Sequence, residues 1–278
     1  MQVTEGQFNV NRADRDGVSL AYRELGAGAA TPLLFVHGFG CNAGHFHRQQ
    51  LHFAASRRTI AVDLRGHGVS DAPHQDYDID GFADDLRWLC GHLGLTRPIV
   101  IGHSMGGNIA LKLAVRDPGF TRAIMMIDTL IDADEAFMQG LQALARRVPK
   151  MFGPEPLYDL LSCLLFLPSD DPEVKRQALD DGMRTPWHVL VSAFGGQILR
   201  NDSIGDLRRL TVAAAYVAAH GLPLEITRIT ALNPGVMTAK TLGVGHFSPL
   251  LAADQINAML QSFIDRVAAD DEAAARAS

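Results

Sequence analysis

One serine has neighbours that suit nucleophilic chemistry. It is Ser104 in Gly102-His103-Ser104-Met105-Gly106-Gly107, which follows the apolar run Pro98-Ile99-Val100-Ile101 and precedes the amphipathic stretch Asn108 to Val115. The pattern predicts a strand, a sharp turn and a helix. A turn this tight holds its central residue at strained angles, and the small residues Gly102 and Gly106 leave the hydroxyl free to project. The competing reading is a glycine-rich phosphate loop. It lacks support, because no G-x-G-x-x-G spacing and no Gly-Lys-Ser/Thr pair accompanies the motif. A serine attacking an acyl carbon needs two N–H donors aimed at the developing oxyanion, one from the residue after the serine and one from a loop after an earlier strand. Met105 is the first, and Phe39 in His37-Gly38-Phe39-Gly40 is the second. The alternative for that segment is an ordinary strand-to-helix loop.

The surrounding elements read as alternating strands and helices. An opening hairpin is expected from Gln7-Phe8-Asn9-Val10, a turn at Asp14 to Gly17, and Val18 to Tyr22. Pro32 to Val36 is a continuous apolar strand of the kind buried on both faces of a parallel sheet. Thr59 to Asp63 is the next strand, followed by the turn Leu64 to Asp71. Gly81 to Leu93 is a helix with Phe82, Leu86, Leu89 and Leu93 at helical spacing, and Ala123 to Ile127 is a further buried strand ending at Asp128-Thr129. This alternation predicts a mostly parallel α/β sheet flanked by helices. Between Ile131 and Arg208 the strand rhythm gives way to candidate helices at Asp134 to Arg147, Glu155 to Phe166, Pro172 to Met183 and Trp187 to Leu199. We read residues 131–208 as a helical cap inserted between two parts of an α/β core, 1–130 and 209–278. Strand character returns at Val212 to Ala218 and at Ala239 to Val244. The last helix spans Asp254 to Val267, and the Ala-rich, charged tail Ala268 to Ser278 is expected to fray.

Composition narrows the function classes. With 278 residues, 47% hydrophobic and 20% charged, the chain has the make-up of a globular protein with a substantial core. A net charge of -6 with no basic stripe argues against a nucleic-acid partner. No apolar run is long enough to span a bilayer, and the opening Met1 to Gln7 lacks a basic segment followed by an apolar core. Cys41, Cys90 and Cys163 are odd in number and lack metal-ligand spacing, so free thiols in a cytoplasmic protein are expected. His45, His47 and His52 share an expected surface or mouth segment, with no carboxylate at ligand spacing beside them, so no metal site is expected.

The order His37-Gly38-Phe39-Gly40, Asp63-Leu64-Arg65-Gly66-His67-Gly68-Val69-Ser70, Gly102 to Gly107 and Gly245-His246-Phe247 resembles the α/β-hydrolase family across essentially the whole chain apart from the cap. The resemblance implies an α/β-hydrolase fold with no cofactor. It also implies a triad of Ser104, His246 and one acid. Among the 11 histidines, His246 is the one in the loop between the last strand and the last helix, which faces the serine turn in this fold. His103 is expected to point away and His37 to be structural. Most relatives carry the acid in a Gly-x-x-Asp turn after the strand equivalent to Val212 to Ala218. Here that stretch reads Ala219-His220-Gly221-Leu222-Pro223-Leu224-Glu225, with no aspartate. Some relatives place the acid after the strand that follows the nucleophile helix. By that resemblance Asp128 is assigned, with Glu225 and then Asp132 or Asp134 as alternatives.

The expected partner is a hydrophobic small-molecule ester or lactone, and the expected state a monomer or homodimer. Leu161, Leu164, Leu165, Phe166, Trp187, Phe194 and Phe247 are candidate pocket residues, against the alternative that they simply hold the cap on the core. Two other readings stand beside ester hydrolysis. One is C–C bond hydrolysis or cofactor-free dioxygenation by a His246-Asp128 base pair, and the other is a non-catalytic ligand receptor on the same scaffold. Haloalkane dehalogenase and epoxide hydrolase relatives need an aspartate at the position of Ser104.

Overall fold

The computed structural model describes residues 9–224 and 226–277. Among them the strands are β1 (Val10–Arg15), β2 (Val18–Leu25), β3 (Leu33–Val36), β4 (Thr59–Val62), β5 (Ile99–His103), β6 (Ala123–Ile127), β7 (Ala213–Ala218) and β8 (Met237–Lys240). They form one sheet in the order β1-β2-β4-β3-β5-β6-β7-β8. β2 pairs antiparallel with β1 and β4, and every other pairing is parallel. β3, β5 and β6 are buried along their whole length, as the unbroken apolar sequences of β3 and β6 and the Ile99-Val100-Ile101 run of β5 require in a sheet covered on both faces.

The helices of the first half are α1 (His47–Phe53), α2 (Ile79–His92) and α3 (Met105–Arg116). On one face of the sheet, Phe82, Leu86 and Leu89 of α2 and Ile109, Leu111 and Leu113 of α3 pack on Val36, Val100 and Met126. Asp78 caps α2 by accepting a hydrogen bond from Gly81 N–H at 2.8 Å. The chain then leaves the sheet through α4 (Glu135–Arg147), α5 (Glu155–Leu165), α6 (Pro172–Arg184), α7 (Trp187–Gly195) and α8 (Ser203–Arg209) before β7 begins. α4, α5 and α7 share their own apolar cluster, with Leu141, Leu157, Leu161, Leu190 and Phe194 buried in it. α8 instead packs on α3, with Leu207 in the sheet core and Asp206 accepting from Lys112 Nζ at 2.6 Å. After β7 come α9 (Ile226–Leu232), α10 (Ser248–Leu251) and α11 (Ala253–Ala277). Ile256, Leu260 and Phe263 of α11 join Phe46 and Phe53 on the opposite face of the sheet.

Several expectations shift at their edges. The opening turn is the two-residue Asp16-Gly17 with φ of 51° and 81°, a hairpin geometry that lets both strands run further than the four-residue turn expected. Gln7 and Phe8 lie outside the described residues. The last strand sits at Met237–Lys240 rather than 239–244, because the chain leaves the ladder after Thr241, with Leu242 N–H donating to Gln255 Oε1 at 2.7 Å and Gly243 at φ of 73°. The tail does not fray at residue 268. α11 continues to Ala277 through alanines and charged residues that favour helix, with Arg266 and Asp270 paired at 3.3 Å. In the segment expected at the surface or mouth, His52 is exposed and His47 half-buried, whereas His45 is buried with Gln49 and Gln50.

Candidate active site

Ser104 joins β5 to α3 with φ of 53° and ψ of -120°, a conformation that a residue with a side chain adopts at a cost of about 1–3 kcal/mol. Three constraints hold it there. Its N–H donates to Ile127 O at 2.8 Å, its carbonyl accepts from Gly107 N–H at 3.0 Å, and the glycines around it carry no Cβ. A Cβ on Gly102 would overlap the Gly106 backbone, and one on Gly106 would overlap the carbonyl of Val36. The loop after β3 runs against the serine, since a Cβ on Gly38 would stand 3.0 Å from Ser104 Cβ. Phe39 follows in that loop. Met105 opens α3, so its N–H has no partner within the helix and stands at the positive end of the helix dipole.

His246 lies between β8 and α10. Its Nδ1 donates to Asp128 Oδ2 at 2.7 Å, because a carboxylate can only accept, and that tautomer leaves Nε2 bare. Asp128 sits just past β6 with φ of 45°, its N–H bound to Val217 O at 2.7 Å. Its other oxygen, Oδ1, accepts from Ala219 N–H at 2.7 Å, and the side chain is fully buried. Both carboxylate oxygens are therefore occupied by fixed donors. The other acids considered from sequence are engaged elsewhere or not described. Asp132 takes both arms of Arg228 at 2.9 Å, Asp134 caps α4 through Phe137 N–H at 2.9 Å, and Glu225 lies outside the described residues.

Two buried histidines brace this arrangement. His103 Nε2 donates to the carbonyl of His246 at 2.9 Å, with the two ring centroids 4.6 Å apart. His37 accepts from Leu64 N–H on Nε2 at 3.0 Å and donates from Nδ1 to Gly38 O at 2.8 Å. Burial pushes the pKa of each well below its ordinary value, and the nearest histidine (His246 for His103, His67 for His37) pushes the same way, so both rings stay neutral. The helical excursion is tied to the His246 loop directly. His246 N–H donates to Leu165 O at 2.9 Å, and Asp170 Oδ1 accepts from Gly245 N–H at 3.1 Å while Oδ2 holds Leu167 N–H at 2.8 Å.

A cavity lies between the sheet and these helices. Ser104, Asp128, His246, Gly38 and Phe39 form its floor, and Leu161, Leu164, Leu165, Phe166, Phe194 and Phe247 are among its apolar walls. Among the described residues no helix is long and apolar enough to cross a membrane, and no three His, Cys, Asp or Glu side chains group as metal ligands.

Residues 31–164 match the model of the alpha/beta hydrolase fold family. The chain is also 32% identical, over 91% of its length and 68% of the relative's, to the dihydrolipoyllysine-residue acetyltransferase component of an acetoin cleaving system from Pseudomonas putida. The chain belongs to the α/β-hydrolase family. The hydrolase is 24% identical to 2-(acetamidomethylene)succinate hydrolase of Mesorhizobium japonicum, over 95% of this chain and 98% of the relative. Its fold matches the enol-lactonase of Burkholderia xenovorans with a TM-score of 0.81 at 22% identity, covering 92% of this chain and 100% of that one.

One sequence expectation for the hydrolase's pocket fails. Trp187 does not reach the cavity, because it opens α7 and packs half-buried in the helix cluster while Phe194, seven positions later, faces inward against Phe39 with ring centroids 5.4 Å apart. Two polar wall residues are additions from the structure. Tyr158 stands at helical spacing with Leu161 and Leu165, a signal present in the sequence. Gln197 is placed by the π-helical turn Gly196–Arg200, which apolar periodicity does not announce, and its Nε2 donates to Asn108 Oδ1 at 3.1 Å.

Proposed function

We propose that this enzyme is a serine hydrolase that cleaves an ester or lactone of a hydrophobic small molecule through an acyl-enzyme. Ser104 is the nucleophile, and His246 accepts its proton through the bare Nε2 and returns it to the leaving group. Asp128 fixes the tautomer of His246 and stabilises the imidazolium that forms. The N–H groups of Phe39 and Met105 receive the oxyanion. Water activated by His246 then releases the acid. Residues 131–208 act as a cap, of which α4 to α7 shape the cavity and tie back to the His246 loop.

The observation that carries this reading is the 2.7 Å bond from His246 Nδ1 to a fully buried Asp128 on the floor of the cavity that Ser104 also lines. A largely apolar cavity supports an uncharged or weakly polar acyl group, and the named activities of the relatives, hydrolysis and lactone opening, lie in the same reaction class. A p-nitrophenyl ester and lactone panel tests it, together with a fluorophosphonate probe followed by mass spectrometry. Turnover that vanishes in Ser104→Ala, with one phosphonyl adduct on Ser104 in the parent, is the expected result. An unlabelled Ser104 with no ester or lactone consumed would sink the reading.

A further inference from the structure

Cys41 faces the same cavity from the loop after β3 and has no part in the chemistry above. Its thiol makes one weak hydrogen bond, to Phe39 O at 3.4 Å. Behind it lies His45, 2% exposed, with Nε2 held by Asp181 Oδ2 of α6 at 3.0 Å. The other oxygen of Asp181 accepts from Arg184 at 3.1 Å. Nδ1 of His45 has no hydrogen-bond partner among the described residues, and Cys41 is the group that acts on the ring from that neighbourhood. Tyr158, 8% exposed, lines the same cavity, and its hydroxyl has no hydrogen-bond partner among the described residues. The phenol passes between Gly40 and Gly182, where a Cβ on either glycine would overlap it. A buried O–H donor in a cavity wall is satisfied only by an acceptor brought in by a ligand or by water.

We propose that Cys41 is a covalent modification site for soft carbon electrophiles, in particular α,β-unsaturated carbonyl compounds, with His45 and Asp181 supplying the cation that favours the thiolate and Tyr158 donating to the carbonyl oxygen of the electrophile. The thiol proton leaves to solvent. A sulfur lone pair forms the S–C bond at the β-carbon, the C=C pair moves to an enolate whose oxygen accepts from Tyr158, and the α-carbon takes a proton from water. One thiol and one enone give one thioether, with no oxidant or reductant. Burial works against a charged His45, but Cys41 and the hydrogen bond that His45 donates to Asp181 outweigh it and push its pKa up to about 10. The other ionisable groups that face His45 are Asp63 at the end of β4, with both oxygens held by backbone N–H groups, and the rings of His37, His47 and His103. The last three are shifted toward the neutral form and add no competing charge. Burial, and next Cys41, push the Tyr158 phenol up, which keeps it a donor.

The full chain carrying Cys163→Ser, which removes the exposed thiol, is treated with N-ethylmaleimide or iodoacetamide from pH 6 to 9 and followed by intact mass and peptide mapping. The expected product is a single adduct on Cys41, with buried Cys90 untouched and a rate that rises through a midpoint within this pH range. His45→Gln should raise that midpoint by about a unit, which is about tenfold slower labelling at pH 7, and Asp181→Asn should act in the same direction. Tyr158→Phe should slow the maleimide, which needs its carbonyl activated, and leave iodoacetamide unchanged. The readout is a mass, so it does not depend on whether Ser104 turns over an ester. An unlabelled Cys41 would overturn the proposal, and so would a midpoint unmoved in a folded His45→Gln chain. If that variant does not fold, Asp181→Asn and the maleimide-to-iodoacetamide ratio in Tyr158→Phe decide in the same way.

Discussion

Two histidine–aspartate pairs lie near a serine and a cysteine that line one cavity, and they are built differently. His246 meets Asp128 at 2.7 Å, and His45 meets Asp181 at 3.0 Å. Around Ser104 the participants come from strand ends and the loops that leave them, and Asp128 is locked by Val217 O and Ala219 N–H as well as by its histidine. Around Cys41 the aspartate arrives from α6, in the excursion between β6 and β7, so the pair exists only while that helix is docked. Ser104 adds a strained backbone held by overlapping glycines, whereas Cys41 has ordinary backbone geometry and a weakly held thiol. A site on sheet ends is positioned by ladder hydrogen bonds on several sides, which suits repeated turnover. A site across two layers can lose one partner when the layers part.

The largest effect that sharpens this contrast is on turnover. Asp128→Asn should lower kcat/KM on an activated ester by about two to four orders of magnitude, as the tautomer and the imidazolium lose their support, while Asp181→Asn should change it by less than about tenfold. Similar losses in steady-state kinetics would erase the distinction between the pairs. Next comes the backbone. Gly106→Ala forces a methyl into the carbonyl of Val36 and should cost about 3 kcal/mol in urea unfolding, against about 1–2 kcal/mol for Gly182→Ala, whose nearest neighbours are side-chain atoms of Tyr158 and not backbone. Equal costs would mean that the serine turn is no more rigid than the contact between α5 and α6.

The two kinds of buried histidine should also separate in pH. His67 is 1% exposed with its pKa lowered to about 4 by burial, so the unfolded chain binds a proton below about 6.5 that the folded one refuses. Stability from this group is complete above pH 6.5 and declines by up to about 3 kcal/mol as the pH falls toward 4. His45 runs the other way. With its pKa raised to about 10, its contribution is complete below 6.5 and declines as the pH rises toward 10. Thermal unfolding across pH should trace a dome, with His67→Gln flattening the acid limb and Asp181→Asn the alkaline limb. A flat acid limb in the parent would contradict the neutral His67.

The smallest effect concerns the walls. Phe194→Ala should raise KM for a bulky apolar ester about threefold to tenfold by removing one apolar wall, whereas Trp187→Ala should leave KM within about twofold. The reverse ranking would return Trp187 to the pocket.

What can be read from the chain is local. The apolar runs of β3, β5 and β6, the glycines around Ser104 and the capped helix α2 each depend on residues within a few positions of one another, so periodicity and turn chemistry reveal them. α9 and the π-helical turn carry no such signature, and Trp187 misleads because it shares a helix face with Phe194 but stands about two turns away along the axis. Sequence narrows the carboxylate facing His246 to a few candidates and goes no further, since Asp128 lies 118 positions away, and the partner of His45 lies 136 away and has no local signal at all. The sequence by itself determined that a serine is presented at a strand-to-helix turn in a mostly parallel α/β sheet. Only the tertiary structure decided which acids, walls and thiols surround that serine, because such contacts depend on how whole elements dock and not on the conformational preference of any one of them.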